Sequence, residues 1–580
     1  MRRWSSKLER VSSAHGRLVG AGALCGVLAL AALAYWWTHA PLYNPTGTID
    51  PWLYTALFVN FDQVYSHFAT TYYASRLPWI LPGRIVYGVL PVDTAYWVLH
   101  GLSFCSGVAA LFVLLRRYLG VPAAVVGAAT LAITPMYWNA QYWDYIDGVT
   151  LTYLLGGLCF GLPLLSGPGR VVCMAAAGVF FAAALTTNLF VAVVAVMYPI
   201  AYVFLQPRMA PHQRVVAALK DLSGLLVGAA GLLVALGLYA RSNGGPFYFF
   251  EPQVNVIRTG TGAFKQPGYD WLRGEPRLLV PVFLLVVAAP LVVLGRRLPP
   301  FRFAAASVAG LAYLTTVIYA WEFLAGGNVL ELTYYFSYFA IPITLTVASS
   351  AALVVALARS HALSEAVAAL IAPTAAVVSL GLIFHSDRSE WTGRSGMRIA
   401  VVLMGVAVVL TYGAVAARRT RFGFGGAVVA LGAVALASHF AINASTGTFV
   451  FSHSAPDNRS LYRAALDELA FVKHSTPDNL LPSFWYAAAG HPELVSAQSM
   501  YYFGYTYLDL DLPHVTQGLR GNLDLLKPQT IVLLCKTRSC GGALRALNRA
   551  GYPYNQGSAR LISRGHIRFW VVILRRARGE

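Results

Sequence analysis

Residues 16–37 read GRLVGAGALCGVLALAALAYWW, and shortly afterwards the chain reads Tyr43-Asn44-Pro45-Thr46-Gly47-Thr48-Ile49-Asp50-Pro51-Trp52. The first stretch is apolar over about 18 residues or more, enough to cross the core of a bilayer as a helix. The second is polar and aromatic and carries a carboxylate. Together they predict the fold class: a multi-pass α-helical membrane protein with its chemistry at the membrane surface. The rest of the chain agrees. Of 580 residues, 57% are hydrophobic and only 12% are charged, where soluble domains carry about 25%. Alternating barrel-type segments are absent, so a helical bundle is the architecture that fits.

A window of about 19 residues finds about thirteen candidate spans, near 16–37, 93–115, 121–136, 148–166, 170–186, 189–205, 222–240, 278–295, 302–321, 336–357, 364–385, 397–417 and 424–442. The third, fifth and sixth are short, and Thr186-Thr187-Asn188 leaves only a tight turn between the last two of these. The net charge of +19 would point to nucleic acid in a soluble protein. Here the cations fall in alternate short loops: the N-terminal basics, Arg116-Arg117, Arg170, Arg208 to Lys220, Arg296 to Arg302, Arg359, and Arg418 to Arg421. The positive-inside rule puts those loops in the cytoplasm, and nucleic acid is not an expected partner. The other loops, 38–92, 137–147, 241–277, 322–335 and 386–396, and everything after 443 are then outside. The basic start (Arg2, Arg3, Lys7, Arg10) runs into an apolar stretch without a clear small-residue cleavage site, so a retained first helix is expected.

Two domains follow: a transmembrane module over 1–446 with long outer loops at 38–92, 137–147 and 241–277, and an outer α/β domain over 447–580. In the latter, Asp457-Asn458 is positioned to cap a helix through about 473, with Leu461, Tyr462, Ala465, Leu466, Leu469 and Val472 on one face. Thr530 to Leu534 and Phe569 to Leu574 read as buried strands, and Gly541 to Ala550 as a helix ended by Gly551. Of six cysteines, Cys25, Cys105, Cys159 and Cys173 fall in apolar spans and read as packing residues. Cys535 and Cys540 suit a local disulfide in an oxidising space, and are a weak zinc signal without nearby histidines.

The outer loops hold the candidate chemistry. Loop 38–92 is too long for a plain connector. Its rings suit helices in the interface plane or an aromatic belt. It carries Asp50, and also Arg76, which can form a salt bridge or bind a phosphate in a bidentate manner. The second loop reads Tyr137-Trp138-Asn139-Ala140-Gln141-Tyr142-Trp143-Asp144-Tyr145-Ile146-Asp147-Gly148. Asp144 and Asp147 can hold a divalent cation (Mg or Mn), orient a hydroxyl or hold a sugar. Tyr142 and Tyr145 suit stacking on sugar rings, and Asp147 has the alternative of capping the next helix. Arg258, Lys265 and Arg273 in loop 241–277 are candidate phosphate ligands or solvated cations, and Gly260, Gly262 and Gly268 permit a mobile loop. Glu331 adds an acid at the mouth of the bundle. These acids, cations and rings share one side of the membrane.

This pattern resembles the GT-C superfamily of membrane glycosyltransferases, and within it is similar to the protein-mannosyltransferase and aminoarabinose-transferase branch. The shared features are many spans, a cytoplasmic N-terminus, a long first outer loop with an Asp soon after the first helix, second-loop acids and an outer C-terminal domain. The likeness is best over residues 1–270. It implies that Asp50 is the catalytic base and that Asp144 and Asp147 are the second-loop acids. Two departures bear on substrate and metal. Asp50 is followed by Pro51 where protein mannosyltransferases tend to carry an Asp-Glu pair, which disfavours a protein acceptor. The second loop reads DxxD where oligosaccharyltransferases carry DxD, which disfavours a metal requirement while leaving a divalent cation (Mg or Mn) open. The implied activity moves a monosaccharide from a polyprenyl-phosphate donor to a hydroxyl of a cell-envelope glycan or glycolipid, at the outer face of a bacterial plasma membrane. The competing readings are a lipid or polysaccharide transporter or flippase, and a polymerase or ligase using a pyrophosphate-linked donor.

Overall fold

The computed structural model describes residues 2–37, 50–134, 137, 140–141, 146–162, 168–206, 210–260, 280–325, 333–359, 455–476, 484–487, 506–507 and 517–577. Helix α1 is Arg2–Trp37, and the first outer loop then forms three short helices, α2 (Asp50–Val59), α3 (Phe61–Phe68) and α4 (Leu77–Val89). The bundle continues with α5 (Val92–Leu119), α6 (Val121–Ala132), α7 (Asp147–Gly161), α8 (Pro168–Thr187), α9 (Val191–Ala195), α10 (Met197–Leu205) and α11 (Pro211–Ser242). Next come α12 (Glu251–Gly260), α13 (Val280–Leu294), α14 (Phe301–Ala325), α15 (Thr333–Phe336), a 3-10 turn at Ser337–Phe339, and α16 (Ala340–Arg359).

Among the described residues, six helices are long and apolar enough to cross a membrane. The expected spans from 16–37 to 336–357 all coincide with helical segments, and the last three lie outside the described residues. Two expectations change. The span at 189–205 is broken at Val196 into α9 and α10. The rings of the first outer loop form core rather than belt. Tyr54, Phe58, Phe61, Tyr65 and Trp79 are buried in one cluster with Tyr96 and Leu99 of α5, because three short helices folded back on α5 cover one another's apolar faces.

The helices are antiparallel neighbours, and this separates the two ends of the bundle. At one end Arg117 donates to the Cys159 carbonyl at 2.6 Å. Arg170 there donates to the Gly161 and Leu162 carbonyls and forks onto Asp221 at 2.8 and 3.0 Å. Arg302 reaches the Gln206 carbonyl at the same end. At the other end the Tyr35 hydroxyl donates to the Trp97 carbonyl, and Arg84 pairs with Asp62 and Tyr239. From Asp93 to Arg116, α5 rises about 35 Å at 1.5 Å per residue. The arginines that the charge pattern assigns to the cytoplasm therefore gather at one end of the molecule. Small residues make one crossing especially close. A Cβ added at Gly228 of α11 would lie 2.6 Å from the Ala175 carbonyl carbon of α8, and one at Gly178 would lie 2.8 Å from the Ala229 nitrogen. Such backbone approach is how helices associate where lipid removes the hydrophobic drive.

After residue 454 the chain forms α17 (Ala455–Ser475), α18 (Gln517–Leu526), α19 (Gly541–Arg549) and a five-stranded sheet. The strands are β1 (Phe484–Ala487), β2 (Thr506–Tyr507), β3 (Thr530–Cys535), β4 (Tyr554–Arg564) and β5 (Ile567–Arg576), in the order β2-β1-β3-β5-β4. Strands β2, β1 and β3 are parallel, and β3, β5 and β4 antiparallel. Strand β3 is buried on both faces, as its unbroken apolar run predicts. Helix α17 begins two residues before the expected cap at Asp457, and Ala465, Leu469 and Val472 are buried on the face predicted for them. Cys535 and Cys540 form a disulfide. The unit docks on the bundle at the end away from the arginine cluster: Arg463 pairs with Asp93 at 3.5 Å, and one buried cluster runs from α2–α5 through α17 to Phe569 and Val571 of β5.

Candidate active site

Three breaks in helical structure meet at the end of the bundle opposite the arginines. The first is the turn before α4, where Arg76 stands at the N-cap and Pro78 sits in the first helical turn. The second is the C-terminal end of α8, where Thr186 and Thr187 turn their hydroxyls back onto the Ala182 and Ala183 carbonyls. The third is the 3-10 turn Ser337–Phe339. Asp147, the first residue of α7, lies among them and is fully buried. Gly148 lets α7 start here, because a Cβ on it would come within 2.6 Å of the Gln141 Cα.

The Asp147 carboxylate is held by its neighbours. Tyr338 donates its hydroxyl to Oδ1 at 2.6 Å, and the Asn188 amide donates to the same oxygen at 2.8 Å. Asn188 also donates to the Tyr338 hydroxyl at 3.0 Å, and its own oxygen accepts the Phe190 N–H. Asp147 Oδ2 is buried and has no hydrogen-bond partner among the described residues. Arg76 is close enough to act electrostatically on both Asp147 and Tyr335. Its guanidinium is buried and lies 3.9 Å from the ring centroid of Tyr72 and 5.5 Å from that of Tyr54, a geometry that a planar cation favours. Gln253 of α12 ties the wall together by donating to the Thr186 carbonyl at 2.6 Å and the Ser75 carbonyl at 3.4 Å.

The structure brings two of the sequence candidates together, Arg76 and Asp147. Asp147 is not a helix cap: the N-cap is Ile146, and the carboxylate reaches across to Asn188 and Tyr338. Asp50 opens α2, four residues before Tyr54. Arg258 is exposed near the end of α12. Tyr142, Asp144, Tyr145, Lys265 and Glu331 lie outside the described residues. Sequence reasoning missed Asn188, Gln253 and Tyr338. Asn188 stood in plain view as part of a tight turn, but nothing local says that its amide meets an acid 41 positions away. Of the Asp144–Asp147 pair suggested for a divalent cation, Asp144 lies outside the described residues; at Asp147 two donors occupy Oδ1, and Arg76 is close enough to act on the carboxylate.

No family model matches the chain, and no curated protein sequence matches it. Among solved structures the chain is similar to ArnT from Cupriavidus metallidurans bound to undecaprenyl phosphate, at 15% identity and a TM-score of 0.46, over 95% of this chain and 98% of that one. It is likewise similar to the apo state of the same ArnT, at 14% identity and a TM-score of 0.45, over 96% and 98%.

Proposed function

We propose that the chain is a membrane glycosyltransferase of GT-C type. It moves a monosaccharide from a polyprenyl-phosphate donor to a hydroxyl of a cell-envelope glycan or glycolipid on the outer face of a bacterial plasma membrane. The observation that carries this reading is the buried Asp147–Asn188–Tyr338 cluster with Arg76 beside it, at the end of the bundle away from the arginines. A buried acid beside a buried, ring-stacked cation is the environment in which perturbed, functional groups are found. The end assignment follows from the positive-inside rule and is supported by the Cys535–Cys540 disulfide docked at the same end as the cluster.

The chemistry is a displacement at the anomeric carbon. The acceptor oxygen bonds to that carbon as the carbon–oxygen bond to phosphate breaks. The hydroxyl proton passes to a carboxylate, and polyprenyl phosphate leaves. Asp50 is the proposed base. It is the first residue of α2, four positions before Tyr54, whose ring faces Arg76. Arg76 stabilises charge growing on the departing phosphate, with Arg258 and Lys265 as further proposed phosphate ligands. Asp147 orients the sugar or acceptor through Oδ2, and Asp144, Tyr142, Tyr145 and Glu331 are proposed to complete the binding surface. The proposed outer α/β unit, 447–580, would lie at the same end of the bundle, where its α17 and β5 pack against α2–α5.

Purified protein incubated with a panel of polyprenyl-phosphate monosaccharides tests the proposal. Sugar release is expected from one of them, with loss in Asp50→Asn. Wild-type-like release by a folded Asp50→Asn protein rules out the base role, and no release from any donor rules out the transferase. The α9–α10 break beside the site favours a second reading, a lipid transporter, since such proteins bind at broken helices. Movement of a labelled polyprenyl lipid across vesicles without any transfer would select it.

A further inference from the structure

The arginine-bearing end of the bundle holds a cavity of about 520 Å³ that the proposed transfer chemistry does not use. Leu119, Pro122, Ala123, Leu298, Pro300 and Ala352 line it, and among its lining residues none is charged or carries a polar side chain. Its size falls within the roughly 300–1,000 Å³ of small-molecule sites, and its lining offers nothing to a polar ligand. The edge of the cavity is different. Arg296 and Arg297 immediately precede the lining residue Leu298, and both are exposed. Among the described residues neither forms an ion pair. The other arginines nearby are engaged: Arg117 binds the Cys159 carbonyl, Arg170 binds Asp221, and Arg302 binds the Gln206 carbonyl. A hydrocarbon pocket with two exposed, uncompensated cations next in sequence to its lining residue Leu298 calls for a ligand that is apolar at one end and anionic at the other.

We propose that this cavity binds an anionic phospholipid, with an acyl chain among Ala123, Leu298 and Ala352 and the headgroup phosphate on Arg296 and Arg297. Basic pockets between helices on the cytoplasmic side bind anionic headgroups in this way. Lipid binding here requires that the helices span a membrane, does not depend on the proposed transferase activity, and is tested without a transfer assay.

The full chain is reconstituted in nanodiscs of equal parts phosphatidylglycerol and phosphatidylcholine, and retained lipid is read by native mass spectrometry and by the thermal midpoint. Phosphatidylglycerol is expected to be retained over phosphatidylcholine. The double variant Arg296→Gln/Arg297→Gln, at exposed positions, should lower that retention by roughly tenfold or more, the size expected for two surface cations. Ala352→Phe should reduce retention by filling the cavity; should it not fold, the arginine pair decides alone. Three results would overturn the proposal: equal retention of the two lipids, undiminished phosphatidylglycerol in the double variant, or an equal thermal shift from inorganic phosphate, which would mean a free-anion site.

Discussion

Replacing Asp147 by asparagine separates what the carboxylate does for the fold from what it does for a substrate. Oδ1 accepts from Tyr338 at 2.6 Å and from Asn188 at 2.8 Å, and an amide oxygen can accept both. Oδ2, which has no hydrogen-bond partner among the described residues, becomes an NH2 donor beside Arg76. The fold then keeps its two bonds and bears one unsatisfied buried donor, at about 1–3 kcal/mol. Alanine instead orphans both donors and costs roughly twice as much. For function, asparagine removes the acceptor that a sugar or acceptor hydroxyl would use. A hydrogen bond to a charged group contributes about 1.5–3 kcal/mol, so kcat/KM should fall roughly 10- to 150-fold. The assay is initial-rate transfer from whichever polyprenyl-phosphate sugar the panel identifies, beside thermal unfolding of both variants in the same detergent. A folded Asp147→Asn protein with kcat/KM within about threefold of wild type would show that Asp147 only braces the helix ends. Equal destabilisation by asparagine and alanine would refute the assigned hydrogen bonds.

Three further outcomes are expected. Gly228→Val should lower stability by about 1–3 kcal/mol of overpacking, read as a fall in the thermal midpoint, since a Cβ there would run into the Ala175 backbone carbonyl and α8 and α11 must part to admit it; an unchanged midpoint means the crossing is looser than described. Arg76→Lys should keep the fold and lose most transfer, because a lysine gives up the planar stack on Tyr72 and bidentate reach to phosphate; full activity with lysine removes Arg76 from the phosphate role. Glu468 on α17 is fully buried with both carboxylate oxygens unbonded among the described residues, and burial holds its pKa well above the usual carboxylate value. The folded state then keeps a proton that the unfolded chain releases, so stability is full below about pH 4.5 and declines as pH rises toward the folded value, by at most about 1.4 kcal/mol per pH unit. Glu468→Gln should flatten this decline and exceed wild type in stability at pH 7, as read from melting curves across pH; an unchanged slope would refute it.

The architecture was legible wherever one local pattern controls one element. Apolar length marks α1, α5, α8, α14 and α16, an unbroken apolar run marks β3, and Gly551, at φ 91°, ends α19 where its position predicts. Strand β4 escaped notice because it is an edge strand, paired only with β5 and exposed along most of its length, so it carries no apolar alternation. The rings of 38–92 were visible but their direction was not. An aromatic residue reads alike whether it faces headgroups or a neighbouring helix, and only the return of α2–α4 onto α5 decides between them. The site was half legible for the same reason. Asp147 and Arg76 are rare charges in an apolar chain. Asn188 and Tyr338 act through contacts 41 and 191 positions from Asp147, and no spacing encodes those.

The charge pattern of the sequence and the two ends of the described bundle agree. Alternation of helix direction puts Arg359, the end of α16, at the arginine-bearing end: the packing of Leu353 against Gly295 fixes that end of α16 beside the end of α13. The chain is next described at Ala455, in a helix whose Arg463 pairs with Asp93 at the opposite end. The three spans expected from the sequence at 364–385, 397–417 and 424–442 lie between these two points and outside the described residues. The docking of α17 puts the disulfide-bonded sheet at the same end of the bundle as the Asp147 cluster, the end at which the proposed lipid-linked donor and its acceptor would meet.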